Sequence, residues 1–91
     1  MSVEVRIPTI LRTYTGGAKA VDGSGSTLSE VIESVESGHP GIRDRLIEGS
    51  GLRRFINVYV NDEDVRFLGG LDTAVGDGDV VVVLPAVAGG Q

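Results

Sequence analysis

The sequence predicts an α+β fold in which one main helix packs on one face of a mixed sheet of four or five strands. Three observations support this prediction: the chain has 91 residues, an amphipathic segment lies in its first half, and valine-rich segments lie near both ends. A chain of this length forms one domain with a single core. The two valine-rich segments are expected at the centre of the sheet, with weaker strands at its edges.

The first predicted strand covers the residues before Pro8. Val3, Val5 and Ile7 alternate with polar residues there, and this period of two is typical of a strand with one buried face. Pro8 ends the strand. A pair of glycines then signals a turn, and residues 18–21 are predicted to form a short, weak second strand.

The helix has the strongest local signals. Thr27 is followed three residues later by Glu30, the pairing of a capping box, which satisfies free amides at a helix start. Gly38 and Pro40 are predicted to end the helix, with Gly38 as a C′ glycine. Between these signals, one apolar stripe follows the helical period and comprises Leu28, Val31, Ile32 and Val35.

After the helix, the sequence predicts one short helical turn and three more strands. The turn covers residues 40–47, and Ile42 and Leu46 within it face the core. The strands cover residues 55–60, 65–67 and 80–84, and loops lie at residues 61–64, 69–72 and 76–79. This order is that of the β-grasp, or ubiquitin-like, fold. We assign residues 1–84 to a β-grasp domain and residues 85–91 to a flexible C-terminal tail.

An apolar cluster is predicted on the face of the sheet away from the helix. Successive side chains of a strand point to opposite faces, so Val82 and Leu84 point away from the other valines of the last strand. Tyr59 has the corresponding phase on its own strand, and Phe55 extends the same phase. Single apolar residues on a surface are normal. A cluster beside the tail favours a docking patch for a partner.

Residue composition excludes several kinds of chemistry. The chain has no cysteine, which excludes disulfides, thiol nucleophiles and thiolate metal sites. His39 is the only histidine, so one chain cannot build a histidine-rich metal site. Lys19 is the only lysine, so the chain offers few nucleophilic amines. We therefore predict no catalytic side chain, no bound metal and no cofactor.

Charge and hydropathy restrict the partners and the location. The net charge of −5 disfavours binding to nucleic acid and fits a partner with a basic docking surface. No apolar run approaches the roughly 20 residues that cross a bilayer, and the amino terminus has no signal-peptide pattern. The sequence therefore predicts a cytoplasmic protein with no membrane partner.

Two short motifs have simpler interpretations than ligand binding. The glycine-rich stretch at residues 23–28 places Leu28 where a dinucleotide fingerprint has its third glycine, so it is predicted to be a loop before a helix. The acidic residues at 62–64 lack the spacing of a calcium loop, and acidic residues are common in tight turns.

The tail contains the most informative motif, the diglycine Gly89-Gly90 followed by Gln91. Glycine has no Cβ and tolerates many backbone conformations, so such an arm can thread into a narrow enzyme channel. Gly89, Ala88 and Val87 are the predicted threading residues. An extended chain from residue 85 to residue 90 spans about 20 Å. A frayed terminus would have a similar sequence.

Several motifs together resemble the MoaD/ThiS family of ubiquitin-like sulfur carriers, and within it the CysO-type carriers of cysteine biosynthesis. The resemblance covers the whole domain, and its most specific part is the last twelve or so residues. It rests on the element order and on the following steps: Ile7-Pro8-Thr9-Ile10-Leu11-Arg12, Tyr59-Val60-Asn61, Gly78-Asp79 and Leu84-Pro85-x-Val87-x-Gly89-Gly90.

The resemblance implies a chemical cycle on the carboxyl group of Gly90. A partner enzyme adenylates this carboxyl with its own ATP and magnesium, and a sulfur donor then displaces AMP to leave a thiocarboxylate. The sulfur passes to an acceptor enzyme such as a cysteine synthase, and a JAMM-type metalloprotease releases the product. The chain is then a protein co-substrate and not an enzyme.

Gln91 departs from the mature form of the family because it holds the Gly90 carboxyl in a peptide bond. Three explanations stay open: a precursor trimmed by a protease, an altered chain end, or a carrier that has lost its chemistry. We favour trimming because the implied cycle already includes a peptidase that cuts after Gly90.

Two other functions stay open. One is the small subunit of molybdopterin synthase, in which the tail feeds sulfur to a pterin precursor. The other is a non-catalytic ubiquitin-like modifier or docking module. A self-sufficient enzyme has little support, because the sequence shows no nucleophile–base pair and no metal-ligand set.

Overall fold

The computed structural model describes residues 2–85, and the predicted tail residues 86–91 lie outside the described part. Nine helices and strands are defined there. They are β1 (Val3–Arg6), β2 (Ala20–Gly23), α1 (Leu28–Gly38), α2 (Ile42–Leu46), β3 (Ile47–Glu48), β4 (Gly51–Leu52), β5 (Ile56–Val60), β6 (Glu63–Asp64) and β7 (Val80–Pro85). Short 3₁₀ helices cover Thr9–Thr15, Val65–Phe67 and Gly70–Asp72. Within residues 2–85, no helix has the length and apolar character that a bilayer crossing requires.

Five strands form one mixed sheet in the order β2-β1-β7-β5-β6. β1 and β7 are parallel, and the other neighbouring pairs are antiparallel. The prediction that the two valine-rich strands lie inside the sheet, with weaker strands at its edges, is confirmed. β3 and β4 form a separate small hairpin that the sequence analysis did not predict.

Helix α1 begins where its capping signal predicts. The Thr27 hydroxyl accepts a hydrogen bond from the Glu30 amide at 3.2 Å. The Glu30 carboxylate accepts from the amide of Ser26 at 2.7 Å and from its hydroxyl at 2.9 Å. These bonds stabilise the charged carboxylate and lower the pKa of Glu30. The apolar stripe is buried against the sheet as predicted and consists of Leu28, Val31, Ile32 and Val35.

The end of α1 differs from the prediction at Gly38. This glycine is the last helical residue and not a C′ residue, and it does not have a positive φ. The left-handed backbone step falls later, at Gly41, with φ of 101°. The Glu36 carboxylate accepts hydrogen bonds from the Arg43 amide at 2.8 Å and from the Gly41 amide at 3.1 Å. One side chain thus joins α1 to α2, which buries Ile42 and Leu46 as predicted.

The predicted strand at residues 65–67 is a 3₁₀ helix instead. Asn61 and Asp62 both have positive φ, as a two-residue type I′ hairpin turn requires, so β5 pairs with Glu63 and Asp64 immediately after the turn. The Asp64 carboxylate then accepts from the Arg66 amide at 2.9 Å and caps the new turn. A side-chain cap therefore ends the strand before residue 65.

The segment between the first two strands, for which only a turn at the glycine pair was predicted, contains further structure. Residues 9–15 form a 3₁₀ helix that buries Leu11 and Thr15, and β2 begins at Ala20 instead of residue 18. Gly23, predicted to be in a loop, is the last residue of β2 and packs under α1. A Cβ at this position would lie 2.9 Å from a Val31 methyl carbon. The close packing of strand and helix therefore requires glycine at position 23.

We expect Thr27→Ala to lower the free energy of unfolding by about 1 kcal/mol, because the Glu30 amide loses its cap. Thr27→Ser keeps the hydroxyl and is expected to keep most of the stability. Urea denaturation of the three proteins measures the difference. Equal stability of the alanine variant and the parent chain would show that the cap contributes nothing.

The pKa of Glu36 lies below its ordinary value of 4.5, mainly because of the hydrogen bond from the Arg43 amide and then that from Gly41. A lowered pKa in the folded state adds stability above the unfolded-state pKa, and this stability is lost as pH falls through the folded-state pKa. We therefore expect the stability advantage of the parent chain over Glu36→Gln to shrink between about pH 6 and about pH 3. Urea denaturation at several pH values measures it. Glu63→Gln, which loses no side-chain hydrogen bond to a described residue, is the control, and an advantage independent of pH would contradict the assignment.

Candidate functional site

Three segments meet at the end of the sheet where β7 finishes. Because β1 and β7 are parallel, the residues that follow β1 lie beside the end of β7. Because β5 is antiparallel to β7, the start of β5 lies at the same end, and Ile56 pairs with Pro85. We call this region the tail-root end, because residues 86–91 continue from it. Distant parts of the chain are therefore brought together around Pro85.

Three of the four predicted docking residues lie on the sheet face opposite α1. Tyr59 pairs with Val82, and Leu84 is the next residue of β7 on that face. Tyr59 and Val82 are half-buried, whereas Leu84 is 44% exposed. Phe55 precedes β5 and is 64% exposed at the tail-root end. Tyr59, Val82 and Leu84 therefore share one face, Phe55 lies before the start of β5, and the role of all four residues in docking stays a prediction.

The predicted tail residues lie outside the described part of the chain. These are the threading residues Val87, Ala88 and Gly89, the sulfur-attachment residue Gly90, and Gln91. β7 continues through Pro85, so the strand reaches one residue past the predicted end of the domain. The described structure therefore determines where the tail starts and from which strand.

Two open grooves flank Pro85. The first, of about 470 Å³, lies between residues 6–12, Lys19 and the end of β7. The second, of about 500 Å³, lies between the 3₁₀ helix at residues 9–15, Arg45 and residues 53–56. Ile10 and Pro85 line both grooves, and Ile10 is 63% exposed. Our residue predictions did not include Ile10, whose motif contributed only to the family resemblance.

The positively charged side chain of Arg66 is fixed by hydrogen bonds beside the apolar patch of Tyr59, Val82 and Leu84. The Arg66 guanidinium donates to the Ile56 carbonyl oxygen at 2.7 Å and also to the side-chain oxygen of Asn57. It lies 3.9 Å from the Asp64 carboxylate. Asn57 pairs with Leu84 across the two strands, so this guanidinium is fixed close to the patch. The sequence carries no local signal for this contact, because Arg66 and Asn57 are nine positions apart and a hairpin turn lies between them.

At the opposite end of the sheet, Asn61 and Asp79 hold β5 and β7 in register. The Asn61 side chain donates to the Asp79 carboxylate at 3.0 Å and accepts from the Val80 amide at 3.0 Å. The same carboxylate accepts from the Gly76 amide at 2.8 Å. The hydrogen bond from Asn61, and then that from Gly76, lowers the pKa of Asp79. Both residues belong to motifs that carried the family resemblance, and here they determine where β7 begins.

Within residues 2–85, no three histidine, cysteine, aspartate or glutamate side chains come together in a group that could hold a metal. Asp64 in the hairpin and Asp79 before β7 accept local hydrogen bonds, as their interpretation as turn residues predicts.

Comparison with known proteins gives one family and several similar chains. The ThiS family matches residues 5–90. The chain is 59% identical over 93 residues to the sulfur carrier protein CysO of Mycobacterium tuberculosis, covering 99% of this chain and 100% of that one. It is 42% identical over 65 residues to small archaeal modifier protein 3 of Haloferax volcanii, covering 71% of each. The Amycolatopsis orientalis BexX/CysO complex contains a chain with a TM-score of 0.93 and 62% identity, covering 97% of this chain and 99% of that one.

We expect Asn61→Gly to loosen the start of β7. Glycine tolerates the positive φ of 50° at this position, so the substitution removes the two side-chain hydrogen bonds without adding backbone strain. Amide hydrogen exchange of the Val80 amide is expected to become faster, and the urea midpoint to fall. Asp62→Gly removes a side chain from the same turn, where φ is 73°, and serves as the control. Unchanged protection of Val80 in Asn61→Gly would contradict the assigned role.

Proposed function

The chain belongs to the ThiS family of ubiquitin-like sulfur carriers and is of the CysO type, and we propose that Gly90 is the residue that carries the sulfur. The observation that carries this proposal is the family match, which extends along the chain to residue 90, the second glycine. The 59% identity to CysO over 99% of the chain supports the same assignment. Because carriers of this type serve cysteine biosynthesis, we expect the final sulfur acceptor to be an enzyme that makes cysteine.

The carboxyl group of Gly90 needs activation before it can accept sulfur. A terminal carboxyl has a pKa of about 3.5, so it is ionised at neutral pH and is a poor electrophile. In the proposed cycle a carboxylate oxygen attacks the α-phosphorus of ATP on a partner enzyme, and pyrophosphate leaves. A sulfur nucleophile then attacks the acyl carbon, AMP leaves, and a thiocarboxylate remains. The chain supplies the carboxyl group and no catalytic side chain, so it acts as a protein co-substrate.

The apolar patch and the tail have separate tasks in this proposal. Tyr59, Val82, Leu84 and Phe55 dock the domain on the partner, because they are partly exposed beside the last described residue, Pro85. The tail then threads into the partner, with Val87, Ala88 and Gly89 in its channel. A span of about 20 Å from residue 85 to residue 90 is long enough to reach an active site below the partner surface.

Gly90 is followed by Gln91, so its carboxyl is free only after that peptide bond is hydrolysed. We assign this step to a metal-dependent protease of the JAMM type, which would also release the finished product after Gly90. The sulfur acceptor is a cysteine synthase. We expect the cycle to take place in the cytoplasm, where ATP is available.

A partner protein is supported by the similar solved structure. The Amycolatopsis orientalis carrier, 62% identical to this chain, was crystallised in a complex with BexX. From this similarity we infer that this chain also binds a partner enzyme. BexX is therefore a suitable probe for docking by this chain.

A modifier role is the second candidate function. It is favoured by the 42% identity to small archaeal modifier protein 3 over 65 residues. In that case an amine of a target protein, and not a sulfur nucleophile, would attack the adenylated Gly90, and an amide bond would form. Both functions use the same activated carboxyl, so the product distinguishes them.

We expect the chain ending at Gly90 to gain sulfur when it is incubated with a family adenylating enzyme, ATP, magnesium and sulfide. Intact-protein mass spectrometry should show the replacement of one oxygen by one sulfur at the C-terminus. The chain that retains Gln91 should gain none, and Gly90→Ala should react at least about tenfold more slowly, because a methyl group obstructs a narrow channel.

Two further results complete this experiment. Mass spectrometry of the protein from its own cells is expected to show a species without Gln91. If the Gly90-terminated chain forms amide-linked adducts and no thiocarboxylate, the modifier function replaces the carrier function. If neither product forms, the proposed role of Gly90 is wrong.

A further inference from the structure

The charge around Pro85 has the opposite sign to the charge of the whole chain. The chain has 13 acidic and 8 basic residues. Among residues 2–85, no aspartate or glutamate lines either of the two grooves that flank Pro85. Three basic residues line the first groove and two line the second, which is five of the eight. They are Arg6, Arg12 and Lys19 in the first, and Arg45 and Arg53 in the second.

Three of these charges are not neutralised within the described chain. Lys19 is exposed, and Lys19, Arg12 and Arg45 form no ion pair with any residue in the range 2–85. The Arg12 guanidinium donates to the Ile7 carbonyl oxygen at 3.1 Å, and that of Arg45 donates to the Tyr14 hydroxyl at 2.6 Å. Neutral oxygen atoms therefore orient the two guanidinium groups without cancelling their charge.

Three acidic residues lie at the other end of β7. Asp77 and Asp79 precede β7, and Asp62 lies in the adjacent hairpin turn. Along β1, Glu4 pairs with Val80 near the start of β7, whereas Arg6 pairs with Val82 further along. Within residues 2–85, acidic side chains thus lie near the start of β7, whereas basic side chains line the two grooves at its end.

We propose that the tail-root end docks on an acidic rim, namely aspartate and glutamate side chains of a partner protein that surround the entrance of its tail-receiving channel. This inference rests on the proposed function, because it concerns the partner that receives the tail. Opposite charges across an interface accelerate encounter and select the mutual orientation of the partners. The net negative charge alone would have favoured a basic partner surface, but the local charge acts over the short distance of the docked interface.

The surface between the basic residues favours a protein over a nucleic acid. Ile10, Phe55, Leu84 and Pro85 line the grooves, and the first three are between 44% and 64% exposed. An apolar centre with arginine around it is typical of a protein interface. A nucleic acid would need a continuous basic surface, and the acidic far end of the domain would repel its phosphates.

Binding to BexX of Amycolatopsis orientalis tests the proposal. Association and dissociation rates are measured by surface plasmon resonance at about 0.05 M and about 0.5 M salt. Both the full-length chain and the chain ending at Gly90 are used. Lys19→Glu and Thr13→Glu each place a carboxylate in one groove, and Lys19→Gln and Thr13→Gln are their neutral counterparts. Both positions are exposed, so folding is expected to be retained, and the urea midpoint of each variant verifies it.

The matched control changes the net charge elsewhere. Lys19→Glu alters the net charge by −2, and the double variant Ser37→Glu/Ser50→Glu does the same at exposed positions outside both grooves. We expect Lys19→Glu and Thr13→Glu to weaken binding about tenfold at low salt and only slightly at high salt. The glutamine variants should have affinities for BexX closer to that of the parent chain, and the double variant should bind BexX as tightly as the parent chain does.

Four outcomes would overturn the proposal. They are parent-like binding by both glutamate variants, equal weakening by the double variant, affinity of the parent that is independent of salt, and no binding of the parent to BexX. Tight binding of a double-stranded DNA oligonucleotide that Lys19→Glu abolishes would assign these charges to phosphate and would also overturn it. The sulfur-transfer reaction decides separately whether the carrier function holds.

Discussion

The parallel pairing of β1 with β7 is the constraint on which the rest of this structure depends. It joins the two ends of the described chain in the middle of the five-stranded sheet, and the other three strands of that sheet lie on either side of this pair. Because the two strands run in the same direction, the segment after β1 and the exit of β7 lie at one end. The helix α1 covers one face of the pair and leaves the other face free of helix within the described residues. The tail therefore starts at the end of the central strand of the sheet and not at the end of an edge strand.

The parts of the fold that could be predicted from the sequence are those with local causes. Helix α1 begins at Thr27 because a hydroxyl and a carboxylate lie within one turn of free amides, and both are visible in the sequence. The alternation in β1 and β5 reflects one buried face and is equally visible. The 3₁₀ helix at residues 65–67 could not be predicted in this way, because its cap, Asp64, is also the last residue of a strand. The composition of residues 65–67 alone does not decide between a strand and a 3₁₀ helix.

The candidate site likewise has one part that could be predicted from the sequence and one part that could not. The patch residues Tyr59, Val82 and Leu84 follow from strand phase, so the sequence was enough to group them. Lys19 is separated from Pro85 by more than half of the chain, and only the parallel pairing places both beside one groove. The charge pattern around the tail-root end is therefore a property of the tertiary structure. The local charge at this end is positive, whereas the net charge of the whole chain is −5.

The arrangement of hydrogen bonds on β7 also has a mechanical consequence. A pull on residue 85 along the strand acts at right angles to the ladder bonds to β5, which lie across the strand. Such a load is shared by the bonds on both sides of β7 at once, so they cannot break one after another as in the peeling of an edge strand. The Asn61–Asp79 contact holds the far end of the same strand. A partner that draws the tail inward would therefore load the domain in its most resistant direction, and the body would stay folded while its end is handled.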